Sequence, residues 1–288
     1  NYSIDGLVAY LTFSGNFNDT SPEGKNDAYN YSRAALNSSA GKYGGGVEFF
    51  GASDNVNSRL QIPTFNWSTI VLDGATFAGW FRPINMSEDG GLFSDNAQAQ
   101  SNGFFWVSHT SSGSINFNYA NGTEQYGANT VFTNVLELNN WTHIALVVNF
   151  KVNTSTLYKN GILFNSQTSG NIFPFNTTSR TVYIGEYSTG HNKNYTGYMD
   201  EIMIFDKSLR VDDVSYIYNQ TSPYYVNNVT LTTNSSKIIS NLSIGASTDI
   251  WTYTDIACSA YNSNLIIPYF CFFSICSDCV RTYDWQSN

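Results

Sequence analysis

The stretch "THIALVVNF", residues 142–150, and the following stretch "STLYKNGILFNS", residues 155–166, decide the fold class. The first stretch is apolar on both faces, which is typical of a strand that lies between two layers. In the second stretch, Asn160-Gly161 supplies the two positive-φ positions of a type I′ turn between two alternating runs. Together the two stretches predict antiparallel strands joined by a tight hairpin.

Other short runs of β-branched and aromatic residues are bounded by Gly, Asn, Asp and Ser, and they predict more strands. These runs occupy residues 6–13, 44–50, 75–81, 103–109 and 114–119. Many short strands with such turns favour an all-β sandwich or jelly roll. One short helix is expected over 210–219, because four residues share a face there: Val211, Val214, Ile217 and Tyr218.

The charge pattern excludes a nucleic-acid partner. The formal net charge is −9, and no cluster of Lys and Arg is present to neutralise phosphates. No membrane span is expected, because the most apolar stretch, residues 264–276, contains Pro268 and is shorter than the ~20 residues that a spanning helix needs. The first residue is Asn1 and not Met, which indicates a processed chain or a fragment.

Glycosylation motifs are frequent in this chain. Roughly half as many would arise by chance from its Asn, Ser and Thr content, so an Asn-rich chain with accidental motifs is the alternative reading. We expect dense N-glycosylation and an extracellular, cell-surface or virion-surface location. The motif Asn-x-Ser/Thr occurs at fifteen positions: Asn1, Asn18, Asn30, Asn37, Asn66, Asn85, Asn121, Asn140, Asn153, Asn176, Asn194, Asn219, Asn228, Asn234 and Asn241.

All four cysteines lie near the C-terminus, at Cys258, Cys271, Cys276 and Cys279. An even number in an exported chain favours two disulfides of undetermined pairing, while part of the spacing also resembles an iron–sulfur pattern, and a zinc site is a further alternative. We expect two domains, a large one over 1–222 and a small cysteine-containing β module over 223–288. The small module is short for a sandwich, so disulfides or a neighbouring subunit are expected to complete it.

Five segments in order resemble laminin-G-like domains of the concanavalin A-like lectin/glucanase superfamily, over residues of about 5–220. They are "GLVAYLTFSGNFNDTSPEGKND", "GKYGGGVEFFG", "TFAGWFRP", "NNWTHIALVVNFKVNTSTLYKNGIL", and "VYIGEY" followed by "GYMDEIMIFDKSLRVDDV". The resemblance implies a jelly-roll sandwich of two antiparallel sheets, with the first and last strands side by side. Residues from about 226 onwards resemble immunoglobulin-like surface modules only vaguely.

The same resemblance implies a structural Ca²⁺ ion between the opening loop and the closing strand. Its ligands would be the Asp200 side chain with Asn18, Asp19 and carbonyl groups such as that of Gly15, and oxygen ligands suit Ca²⁺. Strand alternation would place Asp200 and Glu201 on opposite faces, so that one of them needs a partner. The alternative is that Asp200 accepts backbone N–H groups and binds no ion.

The residues that glycan-cleaving members of the superfamily use are not found here. Those enzymes carry Glu-x-Asp-x-x-Glu on one strand, and no Glu of this chain has Asp two residues downstream. His143 is expected to be a packed residue. We therefore expect a protein that is not an enzyme.

Two functions follow. The first is a non-catalytic extracellular glycoprotein that binds glycans or glycoproteins, or acts in cell-surface adhesion. Its candidate ligand-binding residues are Tyr187, His191 and Tyr195 in the loop 185–197, with Trp106 and Tyr126. Core packing or ordinary surface exposure is the alternative for each aromatic residue. The second function is a structural subunit of an extracellular filament, surface layer or virion appendage, a homo-oligomer assembled through the C-terminal module.

Overall fold

The computed structural model describes residues 5–51, 58–65, 74–95, 104–120, 128–168, 180–187 and 193–221. All of them lie in the first of the chain's two compact units, Asn1–Thr221. The module predicted over 223–288 lies outside the described residues and stays a prediction.

The described residues form fifteen strands and one helix, which confirms an all-β fold. In chain order the elements are β1 Leu7–Leu11, β2 Tyr29–Ser32, β3 Ala34–Asn37, β4 Gly46–Phe50, β5 Arg59–Phe65, β6 Gly74–Pro83, β7 Gly90–Asp95, β8 Phe104–His109, β9 Ile115–Ala120, β10 Ala128–Phe132, β11 Thr142–Asn149, β12 Thr154–Lys159, β13 Ile162–Thr168, β14 Arg180–Ile184, β15 Thr196–Phe205 and α1 Val211–Gln220.

The strands make two antiparallel sheets, as the sequence predicts. Sheet A has eight strands, in the order β13-β12-β11-β6-β15-β4-β3, with β1 also paired to β15. Sheet B has seven, in the order β10-β9-β8-β7-β14-β5-β2. The pairing of β1 with β15, which joins Leu11 to Ile202, confirms that the first and last strands are neighbours. This architecture is a jelly-roll sandwich.

The hairpin between β12 and β13 has the predicted turn. Asn160 and Gly161 have φ values of 52° and 76°, and Lys159 pairs with Ile162 across them. The Asn160 side chain also accepts the N–H of His143 at 3.0 Å, which ties the turn to the start of β11.

The core lies between the sheets, and a second apolar cluster lies on the outer face of sheet A. Strand β11 contributes to both, because Ile144 and Leu146 face the first and Ala145 and Val147 the second. Helix α1 covers the second cluster with Val214 and Ile217. Burial on both sides explains why β11 is apolar throughout. The described part of the chain has no helix with the length and hydrophobicity that a membrane crossing requires.

Strand β15 changes partner halfway along, from β4 to β1, and the two adjacent carboxylates lie at this change. Asp200 pairs with Trp80 of β6, but Met203 pairs with Ala78, so β15 has one extra residue there, and Glu201 has a φ of 52°. Such a bulge suspends the strict alternation of a strand. The expectation that Asp200 and Glu201 face opposite ways is therefore wrong.

Both carboxylates lie on the face of sheet A that α1 covers. Trp80, the cross-strand partner of Asp200, donates its indole N–H to the Thr221 hydroxyl at 3.0 Å, just after the helix. Glu201 accepts the hydroxyl of Tyr10, which packs against the cluster under the helix.

Candidate functional site

A row of polar and aromatic side chains crosses the outer face of sheet B. Each member is the cross-strand partner of the next, and the neighbours of most members along their strands belong to the core, so these side chains point away from it. We call this set the transverse row, and its members are Asn118, Trp106, Ser94, Tyr183, Gln61 and Tyr29.

The rings of Trp106 and Tyr187 stack near one end of this row. Their centroids are 6.1 Å apart and their planes differ by 14°. Both residues are half-buried. The backbone of Glu186 and Tyr187 passes so close to Gly91 of β7 that any side chain at that position would overlap it. The sequence singled out both aromatic residues as ligand-binding candidates, and the structure brings them together.

Next to this pair, the guanidinium of Arg59 lies between two tyrosine rings. It is 4.5 Å from the ring centroid of Tyr183 below and 4.2 Å from that of Tyr31 above. Arg59 is 7% exposed, whereas Tyr31 is 62% exposed and forms the top of the stack. Arg59 Nη1 also lies 2.5 Å from Glu186 Oε2.

Glu186 is a fully buried carboxylate beneath this face. Burial raises its pKa, and the hydrogen bond and charge of Arg59 oppose that rise. Within the described ranges its Oε1 has no hydrogen-bond partner. The backbone carbonyl of Glu186 accepts the hydroxyl of Ser94 at 2.7 Å, which fixes the segment against the transverse row. The ion pair thus holds in place both the Trp106–Tyr187 pair and the Tyr31 ring above Arg59.

Of the other predicted ligand-binding residues, Tyr195 does not join this site. Tyr195 is fully buried, in edge contact with Phe49, Phe81 and His109, so the prediction that it binds a ligand is wrong. Tyr195 directly precedes β15, and its ring belongs to the core between the two sheets. His191 and Tyr126 lie outside the described residues.

His143 is packed, as expected. It is 1% exposed, and its ring lies 5.4 Å from that of Trp80 and 5.7 Å from that of Tyr218. Burial lowers the pKa of His143 to about 3. A neutral ring in an apolar setting gives this histidine a structural role.

Asp200 accepts backbone N–H groups, from Tyr43 to Oδ2 at 3.0 Å and from Glu201 to Oδ1 at 2.9 Å. Burial, and then the nearby charge of Glu201, raise the pKa of Asp200 to about 8. Burial raises the pKa of Glu201 to about 7. Among the described residues no cation pairs with Asp200, and this carboxylate therefore lacks a compensating charge.

The predicted Ca²⁺ ligands fit such an ion only in part. The turn 41–45 contacts Asp200 through Gly41 and the opening loop at Phe13–Gly15 through Gly45, so oxygen donors of both segments lie in one region. Asp19 does not fit, because its carboxylate accepts four protein hydrogen bonds, from Tyr10, Asn26 and twice from Ser21.

Two other predicted ligand positions, Asn18 and Gly15, lie exposed on the opening loop. No cluster of three or more His, Cys, Asp or Glu side chains suited to a metal occurs in the described ranges. The calcium ion stays a prediction, with Asp200 as its side-chain ligand.

The glycosylation positions divide by exposure. Asn194 is 8% exposed and its side-chain oxygen accepts the N–H of Ser58 at 2.7 Å, which argues against a glycan there. The described positions that are exposed are Asn18, Asn30, Asn85, Asn140 and Asn219, and those that are half-buried are Asn37 and Asn153.

The remaining glycosylation positions and all four cysteines lie outside the described residues. The glycans and the disulfides stay predictions.

The sequence reasoning named only Trp106 and Tyr187 of this site, and it missed Tyr29, Tyr31, Arg59 and Glu186 among others. Arg59 and Glu186 are far apart in the sequence, and only the pairing of β5 with β14 brings them together. The alternation of two tyrosines in "YNYS" was an available signal, because residues two apart on a strand share a face.

Comparison with known proteins gives a family and a fold. The laminin-G family profile described as the concanavalin A-like lectin/glucanases superfamily matches residues 50–215. No curated protein matches the chain in sequence.

Several solved structures are similar. One is the binding domain of Paraclostridial Mosquitocidal Protein 1, at 18% identity and a TM-score of 0.57, covering 79% of this chain and 54% of that one. Another is domain 4 of AbnA, a GH43 extracellular arabinanase from Geobacillus stearothermophilus, in complex with arabinotriose, at 16% identity and a TM-score of 0.53, covering 74% and 98%.

A third is a structure of botulinum neurotoxin type C, whose cell entry is described as dependent on two ganglioside molecules, at 14% identity and a TM-score of 0.57, covering 79% and 53%. This chain thus spans about half the length of the two toxin chains. At such identities these similarities show a shared fold only.

Proposed function

The chain belongs to the laminin-G-like family of the concanavalin A-like lectin/glucanase superfamily, and on this premise we propose that it is a non-catalytic glycan-binding module. The observation that carries the proposal is the stacked pair Trp106–Tyr187 on the outer face of sheet B. Sugar rings present C–H groups to aromatic faces, and Trp106 and Tyr187 are only half-buried, so part of their ring surface faces solvent.

Two of the similar structures support this reading. One is a domain in complex with arabinotriose, and another belongs to a toxin described as interacting with gangliosides. A role in extracellular or cell-surface adhesion is part of the proposal, and the dense glycosylation motifs support it.

A glycan array with the full chain, followed by calorimetry on the best ligand, tests the proposal. We expect one glycan class to bind, and Trp106→Ala to abolish that binding at a temperature at which the variant is still folded. Val131→Ala, on β10 of the same sheet, is the matched control because Val131 is 40% exposed and lies outside the aromatic pair. A chain that binds no glycan, or a Trp106→Ala variant that binds like wild type, would contradict the proposal.

One observation favours self-assembly as a second function. Strand β13 is an edge of sheet A, and its residues Ile162, Leu163 and Phe164 are 72%, 54% and 40% exposed. The strand has no charged residue, although the chain carries a net charge of −9. Edge strands usually carry charges that prevent pairing.

The partner we propose for this edge is a second copy of the chain. Two acidic molecules can approach along an uncharged strand, and an antiparallel pair centred on Asn165 would be two-fold symmetric. Light scattering after size exclusion should then show a dimer. Leu163→Lys should dissociate this dimer, whereas the control Ile84→Lys, at an exposed position away from β13, should not. A monomeric wild type at high concentration would contradict this function.

A further inference from the structure

We infer that the outer face of sheet B holds two aromatic platforms, the stacked pair Trp106–Tyr187 and a second one formed by Tyr29 and Tyr31. The ligand is then an extended oligosaccharide that spans both. The inference rests on the proposed function and adds the length of the ligand to it. Neither tyrosine belongs to the stacked pair Trp106–Tyr187.

The cross-strand register sets the distance between the far ends of the two platforms, Trp106 and Tyr29. From Trp106 the transverse row passes through Ser94, Tyr183 and Gln61 to Tyr29. Four strand spacings of about 4.8 Å make this path roughly 19 Å long. A single sugar ring cannot contact both ends, whereas a short linear chain of sugars can. The two platforms lie on one face, so such a chain could cross the strands without bending around an edge.

The second platform has a rigid base. The ring of Tyr31 rests on the Arg59 guanidinium, which rests on Tyr183 and is held by Glu186 at 2.5 Å. A ring backed by buried groups loses little conformational freedom when a ligand stacks on it. Tyr29 and Tyr31 are 61% and 62% exposed, so they offer ring surface that the fold itself does not use.

The floor between the platforms suits hydroxyl-rich ligands. Gln61, a polar member of the transverse row, is half-buried and presents its amide there, whereas Ser94 is buried and its hydroxyl donates to the Glu186 carbonyl. Arg59 and Glu186 carry opposite charges in contact, and the pair adds no net charge to the floor. This combination of aromatic ends and a polar middle is what an uncharged oligosaccharide requires.

The test measures affinity against ligand length. Calorimetry with the full chain would use arabino-, xylo- and cello-oligosaccharides, each from the monosaccharide to the hexasaccharide. For wild type we expect affinity to rise with length and then level off once the ligand spans both platforms. Tyr31→Ala should bind the short members as wild type does and the long members about tenfold more weakly, which corresponds to about 1.4 kcal/mol.

Two controls separate the possible failures. Tyr31→Phe keeps the ring and should restore the dependence on length, and the melting temperature of Tyr31→Ala should stay near that of wild type because the residue is exposed. Binding that does not depend on length, or long ligands that bind Tyr31→Ala as tightly as wild type, would overturn the inference and leave the proposed function intact. If no oligosaccharide and no array glycan binds, the proposed function fails and the inference fails with it.

Discussion

The guanidinium of Arg59 and the carboxylate of Glu186 form an ion pair at 2.5 Å with side chains only 8% and 0% exposed. Arg59 begins β5, and Glu186 follows β14, the neighbouring strand of sheet B. The pair lies beneath Tyr31 and beside Tyr187, so it supports both aromatic groups of the proposed glycan surface.

Removing one partner of this pair should be costly. Glu186→Ala leaves a buried guanidinium without its counter-charge, and we expect a loss of about 3–5 kcal/mol in the free energy of unfolding in urea. The double variant Arg59→Met with Glu186→Leu should recover most of that loss, because it buries no charge. A single variant as stable as wild type would show that the pair is not buried as described.

Tyr195 should matter for folding and not for binding. Tyr195→Ala removes a fully buried ring and should lower the free energy of unfolding by about 3–5 kcal/mol. Tyr195→Phe keeps the ring and should bind glycans as wild type does, in calorimetry on the array's best ligand. If Tyr195→Phe bound glycans more weakly at an unchanged melting temperature, Tyr195 would be a ligand-binding residue after all.

The burial of His143 predicts acid sensitivity. The unfolded chain protonates this histidine below about pH 6.5, but the folded protein resists protonation until about pH 3. Its contribution to stability is present above pH 6.5 and is lost as the pH falls towards 3, by about 5 kcal/mol in all. Urea unfolding at a series of pH values should show a shallower acid decline for His143→Gln than for wild type. Equal slopes would contradict the neutral, buried ring.

Asp200 gives a test of the predicted Ca²⁺ ion. Without an ion, its raised pKa means that the folded protein holds a proton that the unfolded chain releases above about pH 4, so stability falls as the pH rises towards 8. Added Ca²⁺ should raise the melting temperature at pH 8, a chelator should reverse the rise, and Asp200→Asn should remove the response. A melting temperature that changes neither with added Ca²⁺ nor with chelator would contradict the calcium prediction.

The sequence predicted the sandwich because β11 and the β12–β13 hairpin carry strong local signals. The apolar run over both faces of β11 and the Asn160-Gly161 turn each depend on neighbouring residues only. Strands β2 and β7, with the sequences "YNYS" and "GGLFSD", were not predicted, because Gly, Asn and Ser there resemble a loop and only pairing in sheet B makes them strands.

The site was predictable only in part, because local sequence signals identify aromatic residues but not their burial. Aromatic composition singled out Trp106 and Tyr187, but it singled out Tyr195 equally, since a sequence rich in tyrosine does not show which rings are buried. The bulge at Glu201 depends on the pairing of β15 with three strands, and no local sequence pattern predicts it.

The most direct test of the glycan-binding account is a crystal structure of the full chain with the oligosaccharide that binds best. Sugar rings should stack on Trp106 and Tyr187, and the sugar chain should run across the strands towards Tyr31. Sugar bound only at the loops of the sandwich, or on sheet A, with the outer face of sheet B unchanged, would contradict it.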